Sequence, residues 1–336
     1  MITTRKLNKV RNSFYVYLPR DWCDTYNLNK DSEVKIQQSP EGTLIVYPPE
    51  FEPKKGGLLK FVIDESNKDS VESMLIGAYI VGSAGIHIEF SEELELETRE
   101  MISRWIRRLP GFEILEEHSQ SITISEISEI QVVMPILKRQ FATTKYMLGG
   151  LISSMESEDT SKASKILNRD EDVDRHRYFV ERLCHLALQD PSYARKIDIS
   201  PPECLHFSLA AKYIERIADH ICGATEEFKR LRKIDDTLFV LAKKLAEVYS
   251  ETMRMFFRVE GMKHSTKDVT ESTEAFDSLH NATAIATKLS KLESSKKGPE
   301  SDIVLFILHL QRVASYCADI GEVAINRIIQ SQINVR

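Results

Sequence analysis

The sequence predicts a multidomain α+β protein with short strands near its start, a small α/β module in its middle and an all-α C-terminal half. Apolar runs of strand length, separated by turn residues, fill residues 1–50, and strand-like and helix-like patterns alternate over residues 58–127. After residue 127 the apolar residues recur every ~3.6 positions, which is typical of long amphipathic helices. The 336 residues are 42% hydrophobic and 29% charged, which excludes disordered, collagen-like and small disulfide-stapled proteins.

The N-terminal region, residues 1–50, is predicted to form short strands. Its apolar runs are Phe14–Leu18 and Leu44–Tyr47, and Val34–Ile36 alternates apolar and charged residues. Prolines and glycines crowd residues 48–57. Because proline interrupts a strand ladder and glycine favours a bend, we predict a linker there.

The middle region, residues 58–127, is predicted to be a compact α/β module. Its pattern gives a strand, a helix, a strand, a helix and two strands, in that order, at residues 58–63, 68–81, 86–90, 94–109, 112–115 and 121–124. No glycine-rich phosphate loop lies at a strand-to-helix junction, so we predict no ligand for this module. A linker, effector or dimerisation role stays open.

The C-terminal region, residues 128–336, is predicted to form six helices of about 25 to 33 residues, which pack as antiparallel bundles when their connections are short. A weak repeat divides the region into residues 128–232 and 233–336 and predicts two three-helix bundles. The aligned acidic residues are Asp174 with Asp277 and Asp219 with Asp319.

The net charge and the cysteines limit the location of the protein. The formal net charge is −6, so the surface as a whole does not attract polyanions. The five cysteines form no C-x-x-C pair, so neither a thiolate zinc site nor a disulfide framework is indicated, and a reducing cytoplasm is expected. No membrane span is expected, because the longest apolar runs are short or interrupted.

Two pairs of acidic residues interrupt apolar seams in the helical half. Asp170 and Asp174 lie four residues apart on one helix face, and Glu215 and Asp219 repeat this spacing on the next helix. Like charges at this spacing repel each other, and desolvation near a seam adds to the cost, so positive charge is expected nearby. The candidates are a hard cation bound by the carboxylate oxygens or the side chains of Arg175, Arg177 and Arg216.

Two other interpretations of these acidic residues stay open. They can lie at the edge of the seam in ordinary surface ion pairs, since charged residues are rarely fully buried. They can also belong to a di-iron oxidase, of which the sequence holds only the fragments Glu203–His206 and Asp277–His280. No G-x-S-x-G, H-E-x-x-H or P-loop motif is present, so an enzyme is not the leading interpretation.

Residues 1–20 form the second candidate site. They contain five basic residues and no acidic one, inside a chain that is acidic overall. Such a stretch favours binding to phosphate backbones, and a β-hairpin with a solvated basic edge that blocks aggregation is the open alternative. The predicted DNA-binding residues are Arg5, Lys6, Lys9, Arg11 and Arg20.

The N-terminal segment resembles the SpoVT-AbrB (swapped-hairpin) DNA-binding domain. The similarity is carried by KLNKVRNSFYVYLPRDW at residues 6–22 and by NLNKDSEV at residues 27–34. The sequence departs from that family at Asn12 and Asp31, where glycine is frequent, and both residue types tolerate a positive φ. The resemblance implies two chains that exchange hairpins and bind DNA through a basic face.

The helical half resembles PhoU, the phosphate-uptake regulator, whose two three-helix bundles carry E/D-x-x-x-D motifs. The segments Asp170–Asp174 and Glu215–Asp219 match this motif. In the second repeat only Asp277 and Asp319 are kept, because threonine and serine stand at the partner positions. The resemblance implies ions of iron, manganese, magnesium or zinc, held by Asp170, Asp174, Glu215, Asp219, Asp277 and Asp319.

The two resemblances together form an arrangement associated with archaeal regulators. They imply a cytoplasmic homodimer that is not an enzyme and that regulates phosphate uptake and homeostasis. DNA is the expected partner of the N-terminal domain, and the ATPase subunit of a phosphate transporter or a sensor kinase is the expected partner of the helical domain. The alternative is a scaffold that modulates the transporter or the kinase without binding DNA, with an N-terminal domain that only dimerises.

Overall fold

The chain is described here from a computed structural model. The structure describes residues 4–38, 42–50, 57–127, 131–161, 163–231, 234–258, 272–295 and 301–333. The chain divides into two compact units, Met1–Lys54 and Lys55–Arg336. The predicted turn at residues 39–42 and the predicted linker at residues 48–57 lie partly outside the described residues.

The first unit consists of two separate hairpins and one short helix. Strands β1 (Asn8–Val10) and β2 (Ser13–Tyr15) pair antiparallel, and after helix α1 (Arg20–Thr25) strands β3 (Lys35–Gln38) and β4 (Leu44–Tyr47) form the second antiparallel pair. The strand predicted at β4 is confirmed, whereas β2 is shorter than the apolar run that predicted it.

Among the described residues of the first unit, two that are not glycine have a positive φ. They are Arg11, at 53°, and Asn27, at 51°. Asn12 and Asp31, which stand where the swapped-hairpin family often has glycine, therefore do not adopt the positive φ that their residue types tolerate. In the two-residue turn between β1 and β2 it is the first residue that turns the chain. A positive φ costs a residue with a side chain roughly 1–2 kcal/mol, so the tight hairpin imposes this conformation on Arg11.

No residue of the first unit is buried, among residues 4–38 and 42–50 that the structure describes. Its strands and the residues next to them nevertheless carry large apolar side chains that are more than half exposed, namely Leu7, Val10, Phe14, Tyr17, Ile36 and Leu44. The two hairpins also belong to separate two-stranded sheets. Two-stranded hairpins are marginally stable alone, so this unit needs further apolar surface to complete a core.

The α/β module begins the second unit and has one mixed sheet. Its elements are β5 (Leu58–Ile63), a 3-10 turn (Lys68–Ser70), α2 (Val71–Ile80), β6 (Gly85–Phe90), α3 (Leu96–Arg107), β7 (Phe112–Glu117) and β8 (Ser121–Glu126). The strand order is β5-β6-β8-β7, with β5 and β6 parallel and the other pairs antiparallel. The predicted order of strands and helices is confirmed. The fully buried residues Leu75, Tyr79 and Ile102 pack against the sheet from the two helices.

Helices make up the rest of the second unit. They are α4 (Val133–Ser157), α5 (Ala163–Leu167), α6 (Asp170–Gln189), α7 (Pro191–Lys196), α8 (Pro201–Phe228), α9 (Asp236–Arg258), α10 (Ser272–Ser295) and α11 (Ser301–Ile333). The six long helices are confirmed, but they run from 20 to 33 residues, and the short helices α5 and α7 were not predicted. Proline in the first turn and a capping box between Ser200 and Glu203 fix the start of α8.

The long helices form two sets of three that share one apolar core. Helices α4, α6 and α8 pack together, as do α9, α10 and α11, and α8 also packs along α11. In α11 the stretch Ile303–Ser331 is long and apolar enough to cross a membrane by length and composition, and 44% of its 18-residue window is buried in the protein. Its apolar side chains, such as Phe306 and Leu310, belong to the shared core.

A buried arginine joins the α/β module to the helices. Arg182 of α6 is 0% exposed and donates to the carbonyl oxygens of Tyr79 and Ser83, at 2.5 and 2.9 Å. Its Nη2 also lies 2.7 Å from Oε2 of Glu126. A buried charge is tolerated only when it is paired and hydrogen-bonded, so these partners fix the module against α6.

Candidate metal centre and basic surface

The candidate metal centre lies where the start of α6 meets the middle of α8. Asp170 and Asp174 occupy the first turns of α6, and Glu215 and Asp219 occupy two successive turns of α8. Apolar residues beside them, among them Val173, Ile214 and Ala218, are 0% exposed and hold the two helices together. The apolar periodicity of both helices thus aims all four carboxylates at the same seam.

Three of the four acidic residues converge on one point. Asp174, Glu215 and Asp219 each offer an oxygen, and these oxygens lie within 4.8 Å of one another. The side chains are 15%, 9% and 37% exposed, respectively. Asp170 lies beside them, since the Cys222 side chain hydrogen-bonds to it and the charge of Glu215 acts on it.

Crowding and burial make this cluster reluctant to ionise. Burial, together with the neighbouring carboxylate of Asp170, raises the pKa of Asp174 to about 7. Burial is also the largest cause of the raised pKa of Asp170, Glu215 and Asp219. Both effects disfavour the charged form of a carboxyl group, and a cation placed among the oxygens would reverse them.

Arginines supply part of the missing positive charge. Nη2 of Arg108, at the end of α3 in the α/β module, lies 2.6 Å from Oδ2 of Asp174. Arg216 lies 3.6 Å from Glu215 and 3.2 Å from Asp219, and Arg177 lies 3.6 Å from Glu215. Two of the three arginines named from the sequence are therefore in place. The third, Arg175, is exposed and has no ion pair with these acids, and Arg108 was missed.

The donor set fits a hard divalent cation. Oδ1 of Asp170 and Oε2 of Glu215 are buried and accept no hydrogen bond, so each retains lone pairs that an ion could use. Carboxylate oxygens suit magnesium, manganese and ferrous iron better than copper or nickel. Asp170, Asp174, Glu215 and Asp219 are the residues that would hold such an ion.

The second repeat offers fewer potential metal ligands than the first. Asp277 is exposed and Asp319 is half-buried, and burial with the charge of Glu322 raises the pKa of Asp319. In the part of the chain that the structure describes, the one group of three or more potential ligands within sharing distance is the cluster at Asp174. Neither the second-repeat acids nor the histidines of the oxidase fragments belong to it.

The basic surface lies on the first unit. Arg5, Lys6, Lys9, Arg11 and Arg20 are all exposed. Within the described residues, Arg20 is the one member of the five that has an ion pair. Its Nε lies 3.6 Å from Oδ2 of Asp24, and the Arg20 side chain is 91% exposed. Lys9 lies over the ring of Phe14, 5.6 Å from its centroid. Acidic neighbours therefore leave most of this positive charge available to a partner.

Comparisons with known proteins match two segments of the chain. Residues 137–227 match the PhoU domain, and residues 7–56 match the family described as "Antidote-toxin recognition MazE, bacterial antitoxin". A solved structure, the phosphate transport system regulatory protein PhoU from Streptococcus pneumoniae, is 16% identical and has a TM-score of 0.45. The match covers 59% of this chain and 94% of that one. No curated protein matches the chain.

The chain thus carries a helical segment that matches the PhoU domain and a small strand-rich N-terminal segment that matches the MazE family. Both resemblances drawn from the sequence are confirmed. All four acidic residues of the cluster fall inside the segment that matches the PhoU domain.

The raised pKa of Asp174 predicts a pH-dependent stability in metal-free protein. Its folded-state pKa of about 7 lies above the ordinary 3.8, so between these values the folded state keeps a proton that the unfolded state has lost. Stability from this group is present below about pH 4 and is lost as the pH rises through 7. Each pKa unit is worth about 1.4 kcal/mol.

We expect Asp174→Asn to remove this pH dependence. In chelator-treated protein, the free energy of unfolding of the variant relative to wild type should rise by roughly 2–4 kcal/mol between pH 4 and pH 8. Denaturant titrations at several pH values measure it, with Glu171→Gln, an exposed acid on the same turn, as the matched control. A difference that stays constant with pH would contradict the assignment.

Proposed function

We propose that this chain is a cytoplasmic, homodimeric regulator of phosphate uptake that binds DNA through its first unit and a hard divalent cation through its helical half. The observation that carries the proposal is the convergence of Asp174, Glu215 and Asp219 within 4.8 Å inside the segment that matches the PhoU domain. Magnesium, manganese and iron fit these oxygens best, and zinc, which also accepts carboxylate ligands, is the fourth candidate. The protein acts as a regulator, with no reaction of its own.

In this proposal the α/β module senses whether the ion is bound. Arg108 reaches the cluster from the end of α3, and its guanidinium stacks 4.4 Å from the ring of Trp105 in the same helix. The side chain is only 20% exposed, and its Nε is buried without a hydrogen-bond partner. A cation bound between the carboxylates would compete with Arg108 for Asp174, because both are attracted to the same carboxylate group.

The first unit supports DNA binding through charge and through its incomplete core. The five exposed cations form a patch that acidic residues leave mainly unpaired, which is what contact with a phosphate backbone requires. Exposed apolar side chains on both hairpins would be covered by a second copy of the chain. A dimer would place two basic patches on one surface.

Partners of the helical half are proposed from its match to the PhoU domain. Regulators of phosphate uptake act on other proteins, and the helical half is the part of this chain that carries the match. We propose that it contacts the ATPase subunit of a phosphate transporter or a sensor kinase. The alternative function is a scaffold that does not bind DNA, and duplex binding by the wild-type protein distinguishes the two.

The metal proposal predicts that neutralising the cluster abolishes metal binding. Wild-type protein loaded with Mn²⁺ and freed of excess ion should retain it, because the grouped carboxylates provide a hard oxygen site. The variant Asp170→Asn/Asp174→Asn/Glu215→Gln/Asp219→Asn should retain none. Electron paramagnetic resonance and elemental analysis measure the bound ion, and Glu171→Gln is the control. Equal Mn²⁺ in both proteins would refute the site.

The DNA proposal predicts a salt-dependent affinity that rests on the basic patch. Replacing Arg5, Lys6, Lys9 and Arg11 by Gln should weaken binding to a fluorescent mixed-sequence duplex. The logarithmic salt slope should become shallower by up to about 0.9 for each phosphate that the variant no longer neutralises. Fluorescence anisotropy at several salt concentrations measures both effects.

The matched control removes four exposed cations from the second unit, at Lys145, Arg195, Lys196 and Lys244. It changes the net charge equally and should leave the slope unchanged. If wild-type protein binds no duplex, DNA binding is refuted and the scaffold alternative is favoured. If the control weakens binding as much as the patch variant does, the basic patch is refuted as the DNA-binding surface.

A further inference from the structure

Two histidines from different helical repeats meet across the contact between α8 and α11. Nδ1 of His220 lies 3.0 Å from Nδ1 of His309, and the two ring centroids are 5.2 Å apart. Both side chains are half-buried, so an ion can reach them from solvent. The pair lies at the joint between the two sets of three helices, where nothing in the proposed function uses it.

A glycine makes room for this approach. A Cβ at Gly223 would overlap Cε1 of His309 and would lie 2.6 Å from each of its ring nitrogens. Glycine inside a helix costs about 1 kcal/mol relative to alanine, yet Gly223 lies within the 28-residue helix α8. The niche that it leaves for the imidazole of His309 explains its presence there.

Burial favours the neutral form of the His309 imidazole, because it lowers the pKa of this group. A neutral imidazole has a free lone pair, which is the form that binds a metal ion. Glu227 lies seven residues after His220 on α8, and its negative charge acts on His309, so it can balance part of an ion's charge.

The chemistry of the pair differs from that of the carboxylate cluster. Two imidazole nitrogens bound to one tetrahedral ion at about 2.0–2.1 Å lie roughly 3.3 Å apart, and the observed separation is 3.0 Å. A small rotation of either ring would therefore admit an ion. Imidazole suits zinc, copper and nickel, whereas a site with only carboxylates suits harder ions.

We propose that His220 and His309 form a second metal site, for a transition-metal ion such as Zn²⁺, that is separate from the carboxylate cluster and links the two helical repeats. Water completes the coordination of the ion. Because Zn²⁺ would hold α8 against α11, its binding stabilises the contact between the repeats. The site does not depend on the proposed DNA binding or on an ion at Asp174.

The test uses full-length protein in which the four acids of the cluster are already neutralised. In this background we expect a competition titration with a chromophoric chelator to detect one Zn²⁺ ion per chain. Adding His220→Gln or His309→Gln should weaken Zn²⁺ binding by at least the roughly 10- to 100-fold that the loss of a second-shell partner of a metal ligand costs, because a direct ligand is removed. With Cu²⁺ as the probe, electron paramagnetic resonance should show two coupled imidazole nitrogens before the histidine change and one after it.

Two further variants keep the outcome decisive. His280→Gln removes an exposed histidine from α10 and should leave Zn²⁺ affinity unchanged, whereas Gly223→Ala keeps both histidines but fills the niche and should weaken binding. Circular dichroism without metal shows that each variant is folded. Zn²⁺ affinity that is insensitive to His220, His309 and Gly223 would overturn the site and leave a purely structural hydrogen bond between the rings.

Discussion

Carboxylates cannot be held together at a partly dehydrated helix contact unless positive charge reaches them, and this constraint organises the second unit. Asp174, Glu215 and Asp219 share one point between α6 and α8. Two arginines come from the same two helices, and one comes from the α/β module. The pKa of Asp174 is nevertheless raised to about 7, so these arginines compensate the repulsion and desolvation only in part.

Two arginines join the α/β module to the helices, and they differ in how many of their N–H groups have hydrogen-bond partners. Arg182 is buried and has three partners on the module, so it serves as a fixed joint. Arg108 is paired with Asp174 but leaves its Nε without a hydrogen-bond partner. The first contact therefore sets where the module lies, and the second is the one that a competing cation could change.

The sequence predicts what is local and misses what is distant. Spacing of four residues identified the acids on α6 and α8, because a helix places such residues on one face. Arg108 is 66 positions from Asp174. Helical spacing predicts neighbours within one helix, so it could not predict that a residue of the α/β module contacts α6. The basic last turn of α3 was the one available signal. Gly223 is similar, because an isolated glycine in a helical pattern indicates a close approach but does not name His309.

The core of the first unit is the other feature that one chain cannot complete. Two apolar runs and one alternating stretch predicted strands at β2, β3 and β4, which form, yet side chains such as Phe14 and Ile36 stay exposed. A two-stranded hairpin of this length is stable only when further strands or a helix pack against its apolar face. The sequence pattern predicts the strands, but it does not identify the surface that covers their apolar side chains. We propose that a second copy of the chain provides this surface.

The most direct test of the central constraint is the Mn²⁺ affinity of Arg108→Gln compared with wild type, measured by isothermal titration calorimetry at constant pH and salt. If Arg108 serves as a tethered cation that a metal displaces, the variant binds Mn²⁺ about tenfold more tightly, since roughly 1.4 kcal/mol of competition is removed. Equal or weaker Mn²⁺ binding by the variant would contradict the account.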